Sequence, residues 1–111
     1  APYNVLYIFA TTIFLIDQGK IQRVIDLIHQ YQHLLDKQNF YPNMRFYTLN
    51  QLAEALIKKG ELEEARRTLA LSEKYGKEFH GNEQNNSFFG NLHVLKAMCL
   101  FSDPQSYEVA K

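Results

Sequence analysis

Two histidines one helical turn apart, His29 and His33, are the residues best spaced to bind a metal ion. Imidazoles at positions i and i+4 project from the same side of a helix and can share a zinc ion. Asp26 and Asp36 continue the same stripe. The stripe lies nearly opposite the apolar side of its segment, and no cysteine or third strong ligand is fixed nearby. We therefore interpret it as an exposed polar face and expect no metal site.

The single cysteine, Cys99, is the only candidate for a thiol nucleophile. A catalytic cysteine needs a neighbouring base and an oxyanion donor, but His93 lies six residues back, on a different part of the helix. Cys99 also lies in an apolar run, so we expect a buried structural thiol. The sequence has no glycine-rich phosphate loop, G-x-S-x-G, H-E-x-x-H or paired-cysteine motif. These observations predict neither enzymatic activity nor a cofactor.

Composition narrows the classes of partner. Twelve basic residues balance twelve acidic ones, so the chain lacks the cationic surplus with which proteins bind nucleic-acid phosphates. The most apolar stretch, residues 5–16, is shorter than the roughly twenty residues that span a membrane. We expect a cytoplasmic protein that contacts neither membrane nor nucleic acid directly. Because the chain starts without Met and stops without a capping signal, we also expect it to be part of a longer protein.

The elements that position these residues are helices, since apolar residues recur at steps of three and four along the chain. The spacing predicts six helices, over residues 3–17, 20–37, 43–59, 61–79, 86–101 and 104–111. They pair into three hairpins, at about 3–37, 43–79 and 86–111, within one domain that spans residues 1–111. The expected fold class is all-α.

The hairpins are related by an internal repeat. Gly19 and Gly60 each follow the first helix of a hairpin and are 41 residues apart. A shift of 41 aligns four apolar pairs: Leu15 with Leu56, Ile21 with Leu62, Val24 with Ala65, and Ile28 with Leu69. A shift of about 45 relates the second hairpin to the third, aligning Leu52 with Ala97 and Leu56 with Phe101. We interpret the chain as three degenerate repeats.

The second hairpin carries a known pattern, Leu49-x2-Leu52-Ala53-x2-Leu56-x3-Gly60-x-Leu62-x2-Ala65-x3-Leu69. It resembles one tetratricopeptide repeat, in which small residues let two helices approach and bulky ones fill the seam between them. The match covers residues 49–72 and is weaker elsewhere, with Val24 where the family has a small residue. The repeat lengths of 41 and about 45 resemble those of elongated repeats in bacterial regulatory proteins.

This resemblance implies a right-handed α-α superhelix of about three hairpins, whose first helices line a concave groove. In the groove it places five residues as peptide-binding: Phe9, Tyr47, Asn50, Glu54 and Lys58. Asn50 is the most attractive, because a side-chain amide can pair with both the N–H and the C=O of a peptide backbone. In the third repeat the equivalent positions hold Leu92, Leu95 and Cys99.

The function implied is recognition of a protein or peptide ligand in that groove. One alternative is the sensor or oligomerisation region of a transcription regulator whose DNA-binding domain lies outside these residues. Another is a scaffold that associates with further copies through its exposed repeat ends, because a cut solenoid leaves apolar end faces.

Overall fold

A computed structural model describes residues 2–37, 42–80 and 87–102, with side chains over 7–32, 45–78 and 89–102. These ranges form five helices and contain no strand, which confirms the all-α class. The helices are α1 (Pro2–Asp17), α2 (Ile21–Lys37), α3 (Pro42–Lys59), α4 (Leu62–His80) and α5 (Ser87–Ser102). Each begins and ends within two residues of its expected bounds. The expected helix at 104–111 lies outside the described residues.

Two turns of the same geometry join the helices of the first two hairpins. Gly19 and Gly60 have φ angles of +74° and +92°, in the left-handed region that glycine enters without steric cost. The N–H of Gly19 donates to the Ile16 carbonyl and that of Lys20 to Leu15, both at 2.9 Å. In the second turn Gly60 donates to Ile57 at 3.0 Å and Glu61 to Leu56 at 2.9 Å. This is the Schellman arrangement, which satisfies the last carbonyls of a helix.

The helices pack only against near neighbours in the chain. α3 is central and contacts α1, α2, α4 and α5, with its most extensive packing against α4. The other backbone contacts are α1 with α2 and α4 with α5. Within the described residues α1 has no backbone contact with α4 or α5, and α2 has none with α4 or α5. The odd-numbered helices therefore lie side by side in the order α1, α3, α5.

One apolar core runs through these contacts. Its large, fully buried members come from three helices, α2, α3 and α5: Val24, Ile28, Phe46, Leu56, Phe89, Leu92 and Leu95. Ala53 and Ala65 have no exposed surface, as expected of the small residues at the α3–α4 seam. The 41-residue shift also preserves burial, since Val24 and Ala65 are both buried, as are Ile28 and Leu69.

The third hairpin follows a different offset from the expected one. A shift of 45 pairs buried Leu56 with Phe101, which is 77% exposed, and is therefore wrong. A shift of 43 pairs each of the four buried residues of α5 with a buried residue of α3: Phe46 with Phe89, Leu49 with Leu92, Leu52 with Leu95, and Leu56 with Cys99. α5 thus uses the same inward face as α3.

Candidate functional site

An aromatic contact joins two residues of the expected binding surface that lie on different helices. The rings of Phe9 on α1 and Tyr47 on α3 are 6.2 Å apart and tilted by 56°. Tyr47 also lies 4.9 Å from the Phe46 ring, which is fully buried. Both Phe9 and Tyr47 are half-buried, so their remaining surface faces solvent. The contact places an aromatic patch across the junction of α1 and α3.

Glu54 and Lys58 continue the same side of α3, about two and then three turns beyond Tyr47. The Lys58 ammonium lies 3.2 Å from Glu54 Oε2, and the two side chains are 41% and 28% exposed. Tyr47, Glu54 and Lys58 are separated by seven and four residues, so they share one helix face. We call these three residues, with Phe9, the α3 stripe. It offers an aromatic surface, a carboxylate and an ammonium to a ligand.

Asn50 belongs to the same side by spacing but is only 1% exposed. Ser72 Oγ on α4 lies 2.6 Å from Asn50 Oδ1 and 2.9 Å from the Phe46 carbonyl oxygen. A hydroxyl has one proton, so both contacts are satisfied when the amide is turned and its Nδ2 donates to Ser72 Oγ. In either orientation one Asn50 amide atom has no partner among the described residues. The role of Asn50 in binding a peptide backbone remains a prediction. That role requires an exposed side-chain amide, whereas the Asn50 amide is buried at the α3–α4 seam.

The three residues expected to line the groove from the third repeat are in the interior. Leu92, Leu95 and Cys99 are at most 2% exposed, because the register of α5 turns them toward α3 and α4. The expectation of a groove position for them is therefore wrong. Cys99 is a buried thiol, as predicted, with its Sγ 3.7 Å from the Leu62 carbonyl oxygen. Its S–H is a weak donor toward that carbonyl.

His29 contacts another helix. Its Nε2 lies 3.8 Å from Glu64 Oε1 on α4, and both side chains are partly exposed. The side chains of His33 and Asp36 lie outside the described residues. Elsewhere in the described chain, no three His, Cys, Asp or Glu residues are grouped to hold a metal ion.

An ion pair closes one side of a crevice of about 390 Å³ between α4 and α5. Lys96 Nζ donates to Glu73 Oε2 at 2.9 Å. This hydrogen bond lowers the pKa of Glu73 from its ordinary value of 4.5; partial burial opposes the shift, and the charges of Lys96, Lys77 and His93 add to it. Glu73 is therefore a carboxylate at neutral pH.

A larger groove of about 850 Å³ lies between α1 and α2, on a side of the first hairpin for which the sequence predicted no role. We call it the outer groove; its walls include Tyr7, Thr11, Phe14, Lys20, Arg23, Leu27 and Tyr31. Tyr7 and Phe14 are 70% and 61% exposed. The feature of the sequence that could have indicated this groove is the composition of α1, which is apolar on all sides and has one charged residue, Asp17. A helix of this kind is normally covered on all sides.

Comparison with protein-family models, curated proteins and solved structures finds no match. Among the helices described, none combines the length and the apolar character needed to cross a membrane.

Proposed function

We propose that the chain is a protein-interaction module built of tetratricopeptide-like hairpins, which binds a peptide along the α3 stripe. The single observation that carries this proposal is the repetition of one turn. Gly19 and Gly60 close their hairpins with the same pair of hydrogen bonds, 41 residues apart. The neighbour-only packing and the row of odd helices support it as well, because solenoids pack in this way.

The α3 stripe supports a ligand that lies across the odd helices. Tyr47 and Phe9 supply aromatic area with little conformational entropy to lose, a property of binding hot spots. Glu54 and Lys58 bind each other in the free protein and can each exchange that partner for a group of the ligand. Asn50 does not contact the ligand; it holds α3 against α4 through its hydrogen bond with Ser72. In this proposal the surface residues recognise the ligand and Asn50 holds the stripe in place.

The test uses peptides selected from a displayed library of short random sequences on the immobilised chain. Their affinities are then measured for the double variant E54K/K58E, which keeps an ion pair on the helix while exchanging its charges. We expect binding to weaken by about fivefold or more, the effect of a few tenths to one kcal/mol at each of two sites. Lys77→Ala is the matched control, because Lys77 forms the same i,i+4 pair with Glu73 on α4. Equal binding by the parent and the exchanged variant would refute the assignment of the stripe.

A further inference from the structure

The outer groove has an internal counterpart in the second hairpin. The 41-residue shift takes Tyr7 to Thr48 and Phe14 to Ala55, and it takes Leu27 to Thr68 and Tyr31 to Ser72. All four counterparts are buried, whereas Tyr7 and Phe14 are exposed and Leu27 and Tyr31 are half-buried. Both hairpins are followed by a further helix of the stack. Among the described residues they differ in what precedes them, because only the second has a hairpin before it.

The second hairpin therefore indicates what kind of partner the exposed outer groove accepts. In the second hairpin, the equivalent side lies on α3 and α4, and α3 packs against both α1 and α2. His29 of α2 also contacts Glu64, the counterpart of Arg23, so a helix packs against the second hairpin along this edge. An extended peptide does not reproduce that geometry, but a helix does.

The charges on the rim of the groove are inverted between the two hairpins. Lys20 and Arg23 correspond to Glu61 and Glu64. Glu64 lies 3.8 Å from His29 of α2, so a residue of the packed helix faces the rim position directly. Lys20 and Arg23 have no ion-pair partner in the described part of the chain. A helix packed in the outer groove would place its own residue beside Arg23, where a carboxylate is the complementary group.

We infer that the outer groove binds an amphipathic helix of a partner protein that carries carboxylates along one edge. Phe14 and Tyr7 provide aromatic anchors for its apolar face, and Arg23 and Lys20 pair with carboxylates along its edge. The large side chains stand where the second hairpin has Thr48 and Ala55. The partner helix therefore lies further from α1 than α2 lies from α3, or it presents small residues there. This surface is separate from the α3 stripe, and its assignment does not depend on the proposed function.

The probes are two synthetic helices with the sequence of residues 20–37, one native and one carrying H29E. The sequence is that of α2, the helix whose His29 faces the rim of the second hairpin. Fluorescence anisotropy of each labelled peptide with the whole chain should show saturable binding. The H29E peptide should bind about threefold or more tightly than the native one, as expected of one exposed ion pair. The variant R23E should reverse that preference.

Phe14→Ala should weaken both peptides by about tenfold, while Leu71→Ala, at another exposed apolar residue, should leave them unchanged. E54K/K58E should also leave them unchanged, since it alters the other surface. Absence of saturable binding, or binding insensitive to both Phe14→Ala and R23E, would overturn the inference. So would sedimentation showing a dimer that Phe14→Ala dissociates, because the occupant would then be a second copy of the chain.

Discussion

Ser72 on α4 and Asn50 on α3 are joined by a buried hydrogen bond of 2.6 Å. Ser72 has no exposed surface, and Asn50 is only 1% exposed. The same hydroxyl lies 2.9 Å from the backbone carbonyl oxygen of Phe46. Ser72 occupies the position that Tyr31 occupies in the first hairpin, on the outer groove. One repeat position therefore serves two purposes: a polar link within the core in one hairpin and an aromatic surface in the other.

Ser72→Ala should destabilise the fold by about 1–3 kcal/mol, because it leaves a buried amide without its partner. The double variant N50L/S72A, which replaces both polar groups by apolar ones, should recover most of that loss. Urea unfolding followed by circular dichroism measures both. A Ser72→Ala variant as stable as the parent would show that the hydrogen bond contributes nothing to the α3–α4 seam.

Thr48→Val should leave the free energy of unfolding unchanged or raise it by up to about 1 kcal/mol. Thr48 has no exposed surface, and its Oγ1 has no partner among the described residues, so the substitution removes a desolvated hydroxyl. Thr12 is the matched control. It is equally buried, but its Oγ1 donates to the Phe9 carbonyl at 2.7 Å, and Thr12→Val should destabilise by about 1 kcal/mol. Equal effects at the two positions would contradict this reasoning.

Gly19→Ala and Gly60→Ala should each destabilise by about 1–2 kcal/mol, and by similar amounts. Apart from the adjacent residues, no described atom lies within 4 Å of a Cβ added at either glycine, so the loss comes from the positive φ alone. Gly90 is the control for backbone conformation. A Cβ added there is equally free of contacts, but the residue lies within helix α5 instead of at a turn. Gly90→Ala should stabilise by about 0.5–1 kcal/mol. Chemical denaturation of the three variants would show opposite signs, and the same sign at all three would refute the argument.

The Glu73–Lys96 pair should make stability depend on pH in one direction. The pKa of Glu73 is lower in the folded chain than its ordinary value of 4.5. The ion pair therefore contributes fully to the free energy of unfolding above pH 4.5. The contribution is lost as the pH falls through the lowered pKa, where the carboxyl is protonated in both states. The stability difference between the parent and Glu73→Gln should therefore be present at pH 7 and shrink below about pH 4. A difference that is constant from pH 7 to pH 3 would contradict it.

The helices and turns could be predicted from the sequence because their causes are local. Gly19 and Gly60 mark helix ends by a conformation that other residues rarely adopt, and the three-to-four spacing defines each apolar face. The resulting bounds lie within two residues of those observed.

The faces of the helices were harder to assign. One residue corresponds to about 100° of helix rotation, so an offset of 45 instead of 43 turns α5 by about 200°. That error alone moved Leu92, Leu95 and Cys99 from the core to the expected groove. The burial of Asn50 has a different origin, since it depends on Ser72, 22 residues away on α4. Spacing within α3 contains no information about that contact.

The restriction of contacts to neighbouring helices has a consequence for how the chain opens. Among the described helices α1 and α5 have the least extensive packing, whereas α3 cannot be released without losing its contacts with all four others. Opening should therefore begin at the two ends and reach the α3–α4 pair last, with a separate free energy for each step. Amide protons of α1 and α5 would exchange with solvent through these partial openings, well before the protons of α3. α1, which carries Tyr7 and Phe14, is thus also one of the helices that can detach at the lowest free energy, and a partner bound in the outer groove would slow its exchange first.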